Sequence, residues 1–185
     1  MRIKLLLVSG LAALSMSSFA QSFSLAGTVG AYFPSSAEIR SLFGSRLLSF
    51  GATPWTGNST KSGFSPEIGF VNGSNNGNSF VLAPLAVAYE KDFVSENSNG
   101  TVRTSTSMVP YLRASLGVAY FDYSITRPSG NHYSLRRVGG TAGLEAGLKL
   151  SNTAKLFVKY DKFTTEQHFD FSGLQVGFVL SLVKL

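Results

Sequence analysis

The chain has 185 residues, a formal net charge of +6, no Cys, and only 14% charged residues. Ordinary soluble domains carry about a quarter charged residues. The composition therefore argues against a densely hydrated surface, and zero Cys excludes a disulfide framework. The positive excess is mild and comes with no aromatic–basic RNA motif, so a nucleic-acid partner is not expected.

The N-terminus reads Met1-Arg2-Ile3-Lys4, then an apolar run over residues 5–16, then Ser18-Phe19-Ala20. A basic start, a short apolar stretch and a small-x-small site form a secretory signal peptide. The run is too short for a membrane anchor, which needs about 20 apolar residues. Cleavage after Ala20 leaves residues 21–185 as one domain, and removing Arg2 and Lys4 takes two positive charges with it. No later segment holds about eighteen continuous apolar residues. The mature chain instead alternates, apolar against small or polar, with the period of two that marks β-strands.

In chain order, residues 23–33 form the first strand, with Phe23, Leu25, Val29, Ala31 and Phe33 on one face, and Pro34 ends it. Residues 35–46 break the pattern. Ser35 and Glu38 have capping-box spacing, Ile39, Leu42 and Phe43 have helical spacing, and Gly44 suits the C-terminal cap, which predicts one short helix. The second strand covers residues 47–55 and the third residues 64–71. Residues 72–78 read as a polar Asn/Gly loop, and the fourth strand covers residues 80–93. The fifth runs from 107 to 123, and residues 126–137 form a basic loop. The sixth covers residues 138–150 and the seventh residues 154–163.

The eighth strand, residues 171–182, has the cleanest alternation. Leu174, Val176, Phe178, Leu180 and Leu182 oppose Gly173, Gln175, Gly177, Val179 and Ser181. Its length suits a tilted membrane-spanning strand. The expected fold is therefore all-β: a single eight-stranded antiparallel up-and-down transmembrane β-barrel, with a short helix in the first loop.

Alternation alone leaves open which face meets lipid. The second face is rich in Gly, Ser and Ala with scattered charges, a poor coat for water. Trp55, Tyr89, Tyr111, Tyr120, Tyr160 and Phe163 fall near strand ends, as interface girdles do. The Leu/Val face is therefore expected outside. Glu67, Glu90, Arg113, Glu145, Lys149, Lys155, Lys159, Asp161 and Gln175 then enter a lumen only wide enough for side chains. Buried charges need partners. A salt-bridge network is expected, with Glu145 between Arg113 and Lys155 or Lys159.

This pattern resembles the small bacterial outer-membrane β-barrels of the OmpA, OmpX and OmpW type. Gln175-x-Gly177-x-x-Leu180-x-Leu182 resembles their C-terminal assembly signal, although this chain runs on to Leu185 where many members stop on Phe. The resemblance implies a Gram-negative outer-membrane location. It also implies periplasmic chaperones and the barrel-assembly machinery as partners, and outer-membrane lipid or lipopolysaccharide as surroundings. It implies a structural or loop-mediated surface-binding role. A narrow, porin-like channel for small or hydrophobic molecules, as in the OmpW type, is the alternative.

A remoter alternative is catalytic. His132-Tyr133-Ser134 with Glu145 resembles the nucleophile, base and orienting acid of the lipid-A deacylase type. Leu135 replaces the Asn that normally follows the Ser, and a bulge at Gly139-Gly140 would be needed to bring Glu145 to the same face. The reading is therefore of a non-enzyme. No cofactor is implied and no carboxylate–His cluster has metal spacing. The loop arginines Arg127, Arg136 and Arg137 form a candidate basic patch for phosphate groups.

Overall fold

The computed structural model describes residues 24–55, 63–93, 108–151 and 153–184. The expected signal peptide, residue 23 and the Trp55 and Leu182 side chains lie outside that description.

The strands are β1 (Ser24–Pro34), β2 (Leu47–Trp55), β3 (Gly63–Asn75), β4 (Asn78–Asp92), β5 (Val109–Thr126), β6 (His132–Lys149), β7 (Ala154–Phe163) and β8 (Gly173–Lys184). Each pairs antiparallel with the next. β8 returns to β1 from Pro34↔Gly173 to Ser24↔Lys184, so the sheet closes and no edge is left.

Two expected loops are strand instead. Residues 72–75 continue β3, and the chain reverses through Asn76-Gly77 with φ of 48° and 77°. Left-handed values at both positions define the tight hairpin turn that Asn-Gly favours. The basic loop likewise contracts to residues 127–131, because Thr126↔His132 through Phe121↔Arg137 are paired. Polar composition suggested a loop in both places. The ladder to β4 in the first case and to β5 in the second outweighs that preference, because it pairs backbone groups that a loop would leave to water.

The short helix is α1 (Ala37–Phe43). Its cap is Ser36 rather than Ser35, with the Ser36 hydroxyl accepting from the Ile39 amide at 3.4 Å. Gly44, at φ 95°, donates its amide to the Arg40 carbonyl and ends the helix.

The faces are unequivocal. Leu48, Phe64, Ile68, Val87, Leu112, Leu116, Val138, Leu144 and Phe178 all point outward and are exposed, Leu116 by 73% and Leu144 by 70%. Water would not stabilise such a continuous apolar wall, whereas acyl chains do. Tyr89, Tyr120 and Tyr160 stand outward on this wall. Tyr111 and Phe163, expected in the same girdle, are buried inside the barrel. Both occupy odd positions on strands whose even positions face out, so parity sends them inward.

Candidate functional site: the lumen and its mouth

The inward side chains fill the lumen in two storeys. The storey away from α1 is ionic. Lys159 Nζ on β7 donates to Glu67 Oε1 on β3 at 2.7 Å and lies 3.0 Å from Asp161 Oδ1. Arg113 on β5 holds Glu67 Oε2 at 3.0 Å and Glu90 Oε2 at 3.8 Å, and donates to Thr53 and Ser65. Lys155 Nζ reaches both Glu90 oxygens, at 2.9 and 2.8 Å. Lys149 joins Glu90 at 2.8 Å and also pairs with Asp92. Gln175 donates to Ser49 at 2.8 Å.

Glu145 is not the hub of this network. It is buried and accepts a hydrogen bond from the Tyr111 hydroxyl at 2.7 Å, while Arg113 and Lys159 turn to Glu67. The register explains why adjacency misled. Arg113, Glu145, Lys159 and Gln175 share one rung across β5–β8. Side chains of one rung converge on the axis, and long ones continue across to the far wall. Hence Lys159 and Lys155 on β7 cross to Glu67 on β3 and Glu90 on β4, and Arg113 reaches Glu67 as well as its in-register neighbour Glu90. A cavity of about 50 Å³ remains beside this network, lined among others by Gly51, Gly69, Arg113 and Phe163.

The storey next to α1 is apolar, which the expectation of a polar lumen missed. Tyr32, Val71, Phe80, Leu82, Phe121, Tyr123, Ile125, Phe163, Phe169 and Phe171 are buried together inside the barrel. Ile39, Leu42 and Phe43 of α1 complete the cluster from above. Phe171 sits at its centre, with Phe80, Phe121, Tyr123 and Phe169 at ring distances of 5.2, 6.0, 5.4 and 6.3 Å. Such tilted and edge-on pairs add about 0.5–1.5 kcal/mol each beyond area burial. The signal was present at odd positions of β5 (Phe121, Tyr123, Ile125) and even positions of β4 (Phe80, Leu82), the same faces that carry Arg113 and Glu90 inward.

The loops at this end are tied to one another. Arg127 Nε donates to Glu38 Oε1 of α1 at 2.6 Å, and its guanidinium lies 4.9 Å from the Tyr133 ring centre and 5.0 Å from that of Phe169. The hydrogen bonds to Glu38 hold the Arg127 guanidinium above its ordinary pKa. Asn75 donates to the Leu42 carbonyl at 2.9 Å, and the Thr126 amide to Asn78 at 2.7 Å. In the last loop, partial burial pushes the Asp170 carboxyl up, but hydrogen bonds from Lys162 and Ser172 outweigh this and hold it below the usual value.

The three arginines therefore do not converge on one patch. Arg136 and Arg137 are strand residues of β6 pointing to opposite faces. Arg137 pairs with Glu166 at 3.2 Å and Arg136 with Asp122 at 3.0 Å. The deacylase-like set is not assembled either. His132 and Ser134 are exposed at even positions of β6, Glu145 is buried at an odd one, and the β5–β6 register runs without a bulge through Gly139-Gly140. Eleven residues of extended strand put Ser134 about 36 Å from Glu145. His132 instead pairs with the Thr126 hydroxyl at 3.0 Å. Among the described residues no cluster of His, Asp and Glu has metal-binding geometry. Of the assembly-signal positions, Gln175 and Gly177 face in and Leu180 faces out.

A closed eight-stranded antiparallel barrel with an apolar outer wall and a charged interior is the architecture of a transmembrane β-barrel. Solved structures of that class superpose on it. Neisserial surface protein A matches with a TM-score of 0.55 at 14% identity, covering 88% of this chain and 98% of its own. Ail, the attachment invasion locus protein of Yersinia pestis, matches at 0.53 and 8%, covering 87% and 97%. The outer membrane enzyme PagL matches at 0.50 and 14%, covering 86% and 99%. At these identities the likeness is one of fold. No protein-family model and no curated protein matches the chain.

Proposed function

We propose that the chain is an integral bacterial outer-membrane barrel whose lumen is sealed by its own side chains. Its role is structural and surface-presenting rather than that of an open pore. The observation that carries this reading is the stacking of an aromatic plug on a cross-lumen ionic network inside an apolar wall. Together they leave a small cavity of about 50 Å³ in place of a water-filled bore.

The end bearing α1 faces the exterior, with both termini at the periplasmic end. Gln175, Gly177, Leu180 and Leu182 serve recognition by the barrel-assembly machinery after periplasmic chaperones deliver the chain. Structures of the same fold include the attachment protein Ail, solved also in complex with a heparin analogue, sucrose octasulfate, which supports surface contact as the working role. The separation of His132 and Ser134 from Glu145 speaks against the hydrolase reading, and the apolar plug speaks against the channel reading.

Heat-modifiable gel mobility of the outer-membrane fraction, with conductance of the purified protein in planar bilayers, tests this. A heat-shifted band with no steady conductance is expected. Porin-sized open channels, or a protein freely soluble without detergent, would overturn it.

A further inference from the structure

The outer wall of β4, β5 and β6 changes character in ranks. The uppermost apolar rank is Ala83–Tyr120–Val138, aligned by the register and pointing outward. The next rank toward the α1 end is Val81–Asp122–Arg136. The one above it is Ser79–Ser124–Ser134, three serines side by side on three adjacent strands. These two ranks line an open hollow on the outside of the wall. Interstrand spacing of about 4.8 Å makes the serine row about 10 Å across.

The groups in the hollow have bonding capacity to spare. Among the described residues the Arg136 side chain has one acid partner, Asp122, through Nε at 3.0 Å, and it is 76% exposed. The three serine hydroxyls have no side-chain partner among those residues. Directly below them on the same strands lie Leu85, Val87, Leu116 and Val118, part of the exposed apolar wall. Any molecule whose chains lie on that wall has its polar end at this height.

We propose that the hollow binds the headgroup of a membrane glycolipid, a phosphorylated sugar whose acyl chains run down the apolar wall of β4–β6. The serine row and Asp122 exchange hydrogen bonds with sugar hydroxyls. Arg136 supplies a charge-assisted contact to phosphate, with the planar fork that suits it. The width of the row decides the class. A simple phospholipid headgroup engages one or two strands of the row, whereas a phosphorylated disaccharide reaches across all three. This inference rests on the reading of the chain as an outer-membrane barrel with the α1 end outward. It uses only Arg136 of the three arginines first grouped as a patch.

The test uses the full mature barrel in phosphatidylethanolamine vesicles that contain rough lipopolysaccharide as the phosphorylated glycolipid, phosphatidylglycerol in its place, or neither. Flotation and heat-modifiable mobility report insertion. Glycolipid retained on the repurified barrel reports binding. Retention should fall about tenfold in Arg136→Ala and in Ser124→Leu, and less in Arg136→Lys. Acyl-free core oligosaccharide should not displace the lipid. Unchanged retention in both variants, displacement by the free oligosaccharide, or equal retention of phosphatidylglycerol overturns the site while the barrel reading stands. Failure of wild type to float with vesicles overturns the barrel reading itself.

Discussion

Lys159 and Glu67 meet across the full width of the barrel. β7 and β3 are four strands apart in a ring of eight, yet the ammonium and carboxylate lie 2.7 Å apart on the axis. Opposite walls are therefore joined through side chains as well as through the sheet. Small inward residues beside them, Gly51, Gly69 and Gly143, leave the room that two long side chains need.

Breaking this strut should be costly. Removing one partner of a buried ion pair leaves an uncompensated charge and costs about 3–5 kcal/mol. Glu67→Ala and Lys159→Ala are each expected to lower the unfolding free energy of the detergent-folded barrel, read from its urea titration, by that amount. Glu67→Leu and Lys159→Met combined with Asp161→Asn, which removes the carboxylate that Lys159 also serves, should recover much of the loss. Single variants as stable as wild type would remove the strut.

The aromatic plug should depend most on Phe171, which touches four other rings. Phe171→Ala is expected to destabilise by about 3–5 kcal/mol, the usual cost of a large core cavity. With the ionic storey intact, planar-bilayer conductance should stay closed. Steady conductance in this variant alone would make the plug the only seal.

Gly147 lies under Tyr111: a Cβ there would stand 2.6 Å from the Tyr111 ring and 2.4 Å from the Leu156 carbonyl oxygen. Gly147→Val should push Tyr111 off Glu145 and lower the temperature at which the heat-shifted band appears. Ser151→Val, on an exposed connection nearby, should leave that temperature unchanged.

The clasp between Arg127 and Glu38 should govern access to α1. Ile39 is fully buried under the helix. A cysteine placed by Ile39→Cys should react slowly with maleimide in the folded barrel and much faster when Arg127→Ala is added. Equal rates in the two backgrounds would show that the clasp does not hold the helix down.

Acid should loosen the last loop through Asp170. Its carboxyl is held below the ordinary value, so the folded state binds the proton less readily than the unfolded chain. The stabilisation is complete above the unfolded carboxyl range and is lost as pH falls through the folded value. Asp170→Asn should flatten the acid limb by lowering thermal stability near neutrality, where the wild-type carboxylate contributes, and should change it little at low pH. An unaltered acid limb would assign the acid sensitivity to other carboxylates.

Much of this barrel is legible in one dimension. Parity along β5 sorts Leu112, Leu116 and Val118 outward and Arg113 inward without any knowledge of neighbours, because successive strand side chains must alternate. The helix is equally local, since a cap, three spaced apolar residues and a glycine suffice to define it. Parity also held the answer for Tyr111, Phe163 and the Phe121–Tyr123 pair. For Tyr111 and Phe163 the expectation of a girdle at strand ends overrode it.

What sequence alone determined was thus the number of strands, their direction, and which side chains share a face, all properties of a local period. Tertiary structure alone decided the partners: Glu67 rather than Glu145 for Lys159, Glu38 for Arg127, and three serines from distant positions in one row. Those outcomes depend on which strands closure brings opposite or level with one another. That is set by registers summed around the whole ring, which no single segment encodes.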